Sequence, residues 1–128
     1  LNRGLDAYFP VGKKNTYNLS SIDVRDGFPL CLPASRLLRP YRPKELWLNQ
    51  LKIQRIKSEM MQAARDNEVY HVWWHPHNFG NYPQQSLEAL EQILKAYQTC
   101  ANQYGMVSMN MGEVTNAVYS LHGKNQAA

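Results

Sequence analysis

Glu68-Val69-Tyr70-His71-Val72-Trp73-Trp74-His75, closed by Pro76, is the stretch on which the fold reading turns. It is rich in β-branched and aromatic residues and apolar in nearly every place, as a strand buried on both faces would be. Such strands belong to parallel sheets covered by helices. Upstream, good helix formers run from Pro43 to Asp66, Ile53, Ile56, Met60 and Ala63 recur at three and four residues, and Asn67 closes the segment. Downstream, His77 to Pro83 is a polar loop with Gly80-Asn81 as its turn. Ser86 then caps a helix whose apolar stripe is Leu87, Leu90, Ile93, Leu94, Tyr97, Ala101 and Tyr104, and Gly105 stands just past its end. Met106 to Met109 reads as a short strand. Asn110 with Glu113 reads as a capping-box start for a last helix through Val114, Val118 and Leu121.

Before Pro43 the pattern is weaker. Residues 1–42 read as an irregular, extended lead-in and 123–128 as a frayed tail. Within the lead-in, Tyr17 to Val24 alternates enough for a weak strand. Phe28 to Pro33 is an apolar run bounded by prolines, either a modest strand or an extended loop, and Ser35 to Tyr41 is a polar, basic connection. The order helix, strand, helix, strand, helix predicts an α/β layer or barrel with parallel strands.

The 128 residues suit one domain, and 44% hydrophobic against 19% charged residues is enough for a core, which excludes wholesale disorder. No run approaches the ~20 apolar residues of a membrane helix. The chain opens Leu1-Asn2-Arg3-Gly4, with no apolar run behind a basic start, so no signal peptide is read. Starting at Leu rather than Met, it reads as processed, cut, or part of something larger. Cys31 and Cys100 have no metal-type spacing and read as ordinary buried thiols, a usage that fits the cytoplasm without excluding an oxidising compartment.

The net charge of +4 is unevenly spread. Residues 1–65 carry 12 Lys/Arg against 5 Asp/Glu, whereas residues 66–128 carry 2 against 5. The excess is densest at Arg36, Arg39, Arg42, Lys44, Lys52, Arg55 and Lys57. This reads as a solvated helix face plus a basic loop, with an anionic polymer as the competing reading. No nucleic-acid motif accompanies it, so nucleic acid is disfavoured as a partner.

Chemistry concentrates between His71 and Gly80, which hold three of the four histidines and two of the three tryptophans. In parallel α/β folds, functional residues gather at the C-terminal strand ends, where His75 and His77 fall. On a strand, His71 and His75 are about 13 Å apart, too far to share one zinc with nitrogens at about 2.0–2.1 Å. His75 and His77, at about 6.6 Å, are close enough but lack a third ligand nearby. His75 therefore reads either as a general acid or base walled by tryptophan, or as a hydrogen-bonded rim histidine without a reaction. Trp73 and Trp74 read as core filler or as pocket wall. Alternation along a strand keeps both from lining one pocket.

Val72-Trp73-Trp74-His75-Pro76-His77-Asn78-Phe79-Gly80 resembles the last motif of the polysaccharide deacetylases, carbohydrate esterases with a distorted (β/α) barrel. Leu32-Pro33-Ala34-Ser35, the basic stretch through Arg39-Pro40, and Gly105 to Glu113 look similar too, so the resemblance spans roughly residues 28–118. It implies metal-dependent hydrolysis of N-acetyl groups on a polysaccharide, with His75 protonating the leaving amine and Trp73, Trp74, His77 and Asn78 shaping the substrate pocket. The family's metal ligands are an Asp-Asp pair and a separate His-x-x-x-His; no Asp-Asp occurs here and the one His-x-x-x-His is the His71/His75 pair set aside on strand geometry, so the divalent metal, zinc by expectation, would belong to the full-length protein. About 250 residues is typical of a whole (β/α) barrel. The resemblance thus implies that residues 1–128 are the C-terminal half of a bacterial-type, cytoplasmic or envelope-associated enzyme, a partial (β/α) barrel inactive alone. Such a half would bind the missing N-terminal half or self-associate. The competing function is a non-catalytic carbohydrate- or anionic-polymer-binding module.

Overall fold

In a computed structural model of the chain, residues 15–123 are described. They form three α-helices and one two-stranded parallel sheet. Strand β1 (Arg36–Leu37) is followed by helix α1 (Leu46–Asp66), strand β2 (Val72–Trp73), helix α2 (Pro83–Tyr104) and helix α3 (Met111–Leu121). Single 3-10 turns occur at Leu19–Ser21 and Pro76–Phe79. β1 and β2 pair in parallel, Arg36 opposite Val72 and Leu37 opposite Trp73, so β1-α1-β2 is one βαβ unit. No helix among the described residues is long and apolar enough to cross a membrane.

This corrects the expected partial (β/α) barrel: the fold is mostly helical, with only two short strands. The reason is local. Pro33 and Pro40 flank β1 and Pro76 follows β2, and proline cannot donate to a ladder. The ladder is thereby confined to a few bonds: the amides of Ser35 and Arg36 donate to the His71 carbonyl at 2.9 and 3.1 Å, and Leu38 N donates to Trp73 O at 2.9 Å. The run from Glu68 to His75 is half-buried where the sequence predicts burial on both faces, and Trp74 and His75 are exposed. Tyr17 makes one antiparallel bridge to Val69, after which the chain turns instead of continuing as a strand. Residues 28–33 and 106–109 form no strand, and Phe28 and Val107 stand about 70% exposed. β1 lies inside the segment read as a basic connection. The parts of the expected lead-in and tail at residues 1–14 and 124–128 fall outside the described residues.

The helices follow their end signals. Pro43-Lys44 forms a turn and α1 begins at Leu46, with Asn49 braced against Arg42 (Nδ2 to O, 2.6 Å). Asn67 ends α1 in the left-handed region at φ 54°, and Gly105 ends α2 at φ 70°, where glycine has no Cβ penalty. α2 starts three residues before Ser86, at Pro83, so Ser86 is an interior residue rather than a cap. Asn110 and Glu113 form the reciprocal capping box of α3, at 3.0 and 2.7 Å.

The core lies between α1 and α2. Ile53, Ile56 and Met60 of α1 meet Ile93, Ala96 and Cys100 of α2, with Leu38 closing one end. Cys100 is fully buried, but Cys31 is exposed, contrary to its reading as a buried thiol.

Glu59 ties this core to the sheet. Its carboxylate accepts two bonds from Arg36 (3.1 and 2.5 Å), one from Arg55 (2.6 Å) and one from the Tyr70 hydroxyl (2.8 Å). The three charged side chains are only 11–14% exposed. Removing the carboxylate takes the Glu59 charge away from two shielded guanidinium groups, so Glu59→Ala is expected to cost about 3 kcal/mol in urea unfolding. Burial, then the charge and hydrogen bond of Glu59, push the Tyr70 hydroxyl above its ordinary value of 10.0. Because the folded value lies above the unfolded one, its contribution to stability is full below pH 10 and lost as pH rises beyond it. The urea midpoint is expected to fall above pH 10, and to fall less in Tyr70→Phe.

Candidate functional site

The parallel pair sets the geometry of the histidine-tryptophan segment. His71 at the start of the run is held by backbone and side chain: its amide donates to Ser35 Oγ at 3.0 Å, and Nδ1 lies 3.0 Å from Pro33 O. It serves the architecture and stands apart from His75 and His77. β2 ends at Trp73, Trp74 stays extended, and His75 becomes the N-cap of the 3-10 turn Pro76–Phe79, with φ −92° and ψ 138°. Pro76 suits the first position of that turn, since the fixed proline φ is compatible and the missing N–H is not needed there. The turn is closed by Asn78 N to His75 O at 2.9 Å and Gly80 N to His77 O at 3.1 Å.

The turn gathers three of the five predicted site residues on one side. The rings of His75 and His77 are stacked, with centroids 5.1 Å apart and planes 14° apart. Trp73 meets the His75 ring edge-on at 5.0 Å and 86°. Trp74 departs from this group, lying against Phe79 at 6.1 Å and lining a separate apolar groove. Alternation along the extended chain accounts for the split. Asn78 is half-buried in the turn, and its backbone amide is what holds His75 in place. Asp23 is bound to Arg25 at 2.6 Å.

The edge made by the half-buried Trp73 and the exposed His75 and His77 presents imidazole rings to solvent beside an aromatic surface. It is suited to proton transfer with a ligand that stacks on an aromatic ring. Among the described residues, no group of three or more His, Cys, Asp or Glu side chains could hold a metal ion, and two stacked imidazoles fall short of a zinc site's usual ligand set.

The basic stripe is largely answered within the fold. Arg36 and Arg55 are bound to Glu59, and Arg42 and Lys52 reach Glu45 at 3.0 and 3.5 Å. Lys52 is buried, and its ammonium also donates to Asn49 Oδ1 at 3.1 Å. Burial lowers the Lys52 ammonium below its ordinary value, and the Arg42 hydrogen bond holds the Glu45 carboxyl below the usual carboxylate range. These clusters are missing from the sequence reading. The spacing of Glu45, Asn49 and Lys52 along one helical face, and of Arg55 and Glu59 four apart, was the available signal.

No family model, curated protein or solved structure matches this chain.

Proposed function

We propose that the Trp73-His75-His77 edge is the proton-donating, sugar-contacting part of a polysaccharide N-deacetylase site. The observation that carries this reading is the position of His75. It stands two residues past the C-terminal end of a parallel strand, exposed, stacked on His77 and flanked by Trp73. The resemblance of residues 72–80 to the deacetylase motif supports it.

Hydrolysis adds water across the amide C–N bond, giving acetate and a free amine. The amine is a poor leaving group until its nitrogen takes up a proton, and His75 supplies that proton as the bond breaks. Stacking on His77 and the Trp73 edge restrict the imidazole's orientation, and the exposed His77 ring beside the half-buried Trp73 offers a flat face for a sugar ring. Asn78 holds the turn and, in this reading, borders the substrate. Activation of the attacking water is not assigned to any described residue. The 128-residue chain is accordingly expected to bind an N-acetylated oligosaccharide without releasing acetate.

The test is acetate release from an N-acetylglucosamine oligomer by the natural protein carrying this sequence. His75→Ala is expected to lower kcat about 10²- to 10⁴-fold with little change in KM, whereas Trp73→Ala raises KM. Unchanged kcat in His75→Ala would sink the reading.

The same reading extends to partners. α2, α3 and β2 border an open apolar groove of about 880 Å³, and Leu94, Val107, Met109, Met111 and Leu121 around it are 46–68% exposed. An apolar surface of this extent on an isolated chain favours association. The chain alone is expected to cover it by self-association, seen as a dimer or larger species in sedimentation at micromolar concentration. A clean monomer would contradict that.

A further inference from the structure

A second cavity, of about 320 Å³, opens between the N-terminal parts of α1 and α2, on the side where the strands end. It shares no residue with the Trp73-His75-His77 edge, and nothing about it depends on the deacetylase reading. Three polar side chains along it are at least nine-tenths buried: Asn49 and Lys52 from α1 and Ser86 from α2. Asn49 is fully engaged, bracing Arg42 and accepting from Lys52. Ser86 differs, because its buried hydroxyl has no hydrogen-bond partner. An unanswered buried hydroxyl is costly unless something else meets it.

Both helices present their N-termini here without a side-chain cap, at Glu45 and Tyr82, whereas α3 is fully capped. Helix geometry leaves the first-turn amides of Leu46 and Gln85 without an intrahelical acceptor, and both residues line the cavity. Uncapped helix N-termini carry partial positive charge and favour anions. Lys52 adds a shielded ammonium that reaches the Glu45 carboxylate at 3.5 Å. Arg39 adds a second cation, and the acid on the lining, Glu88, is turned to the Gln84 amide at 2.9 Å. Tyr41, Ile53 and Phe79 complete an apolar wall.

We propose that this cavity binds a small organic anion. A carboxylate or phosphate group lies between Lys52 and the first turns of α1 and α2, and the body of the molecule rests on the Tyr41–Phe79 wall. Ser86, turned about χ1, donates its hydroxyl to the anionic group. The cavity volume falls at the lower end of the range for small-molecule sites and exceeds the needs of a bare inorganic ion.

The experiment titrates the isotope-labelled chain with inorganic phosphate, with acetate, and with neutral N-acetylglucosamine, at constant ionic strength, following backbone amide shifts. Saturable shifts at Leu46, Gln85 and Ser86 are expected with phosphate or acetate and not with the neutral sugar. The tighter of the two anions identifies the group as a phosphate ester or a carboxylate. Ser86→Ala is expected to weaken binding about tenfold and Lys52→Met to abolish it, with Glu45 still held by Arg42 in the latter. Ser86→Ala is also expected to leave the melting temperature without anion unchanged or raised. The proposal is overturned if neither anion moves these amides, if the neutral sugar saturates them instead, or if Lys52→Met binds as tightly as the parent. It also fails if Ser86→Ala melts several degrees lower without anion, since the hydroxyl is then used inside the fold.

Discussion

The Glu59 carboxylate is the point on which the βαβ unit hangs. Arg36 reaches it from β1, Tyr70 from just before β2, and Arg55 from the preceding turn of the same helix. A two-residue ladder has too few bonds to set the angle of its strands to a helix, since each is worth only about 1 kcal/mol net. The two parallel bonds from Arg36 have directional demands that the ladder lacks. A buried ion pair often adds little net stability over an apolar replacement; its better-attested effect is to specify one arrangement. Here that arrangement places the C-terminal ends of β1 and β2 beside the N-terminal turns of α1 and α2.

The remaining stability comes from the α1–α2 seam. Ile53, Ile56, Met60, Ile93 and Cys100 bury their side chains almost completely, and at about 25 cal/mol per Å² such side chains are the main favourable term available to a chain of this size. The seam covers one side of the sheet region. On the other side lies the groove bordered by Trp74, α2 and α3, where large apolar side chains stay open to water. The asymmetry explains why the run from Glu68 to His75 carries apolar residues in almost every place yet is only half-buried. Its composition matches two apolar neighbours, and the described residues provide one.

What was legible before the structure was local. Asn67, Gly105 and the Asn110/Glu113 pair end or begin helices through contacts within five residues, and the sequence shows them directly. Ser86 misled for a related reason: it is a good cap residue, but Pro83 three places earlier starts the helix more effectively. Strands depend on partners far along the chain. Nothing in Arg36-Leu37 marks it as a strand; it becomes one because the His71 carbonyl, 35 residues on, accepts its amide. Residues 106–109 have strand-like composition but no ladder partner among the described residues. In the site, concentration of histidine and tryptophan was visible, whereas the stacking of His75 on His77 required the 3-10 turn. Of the Glu59 cluster only Arg55 lies within helical reach, so the other two partners, Arg36 and Tyr70, were hidden by distance.

The Pro76–Phe79 turn has a consequence for chemistry at the strand ends. Its first half carries His77 beside His75, and its last residue, Phe79, both contacts Trp74 and forms part of the wall of the α1–α2 cavity. The histidine edge and the α1–α2 cavity are therefore separate in their residues but share one four-residue support. A ligand that presses on Phe79 from the cavity pushes on a turn whose other end orients His75 through the Asn78 amide. Proline at its first position restricts one backbone angle and leaves the rest of the turn to adjust. Any coupling between the cavity and the histidine edge has its shortest covalent route through these four residues.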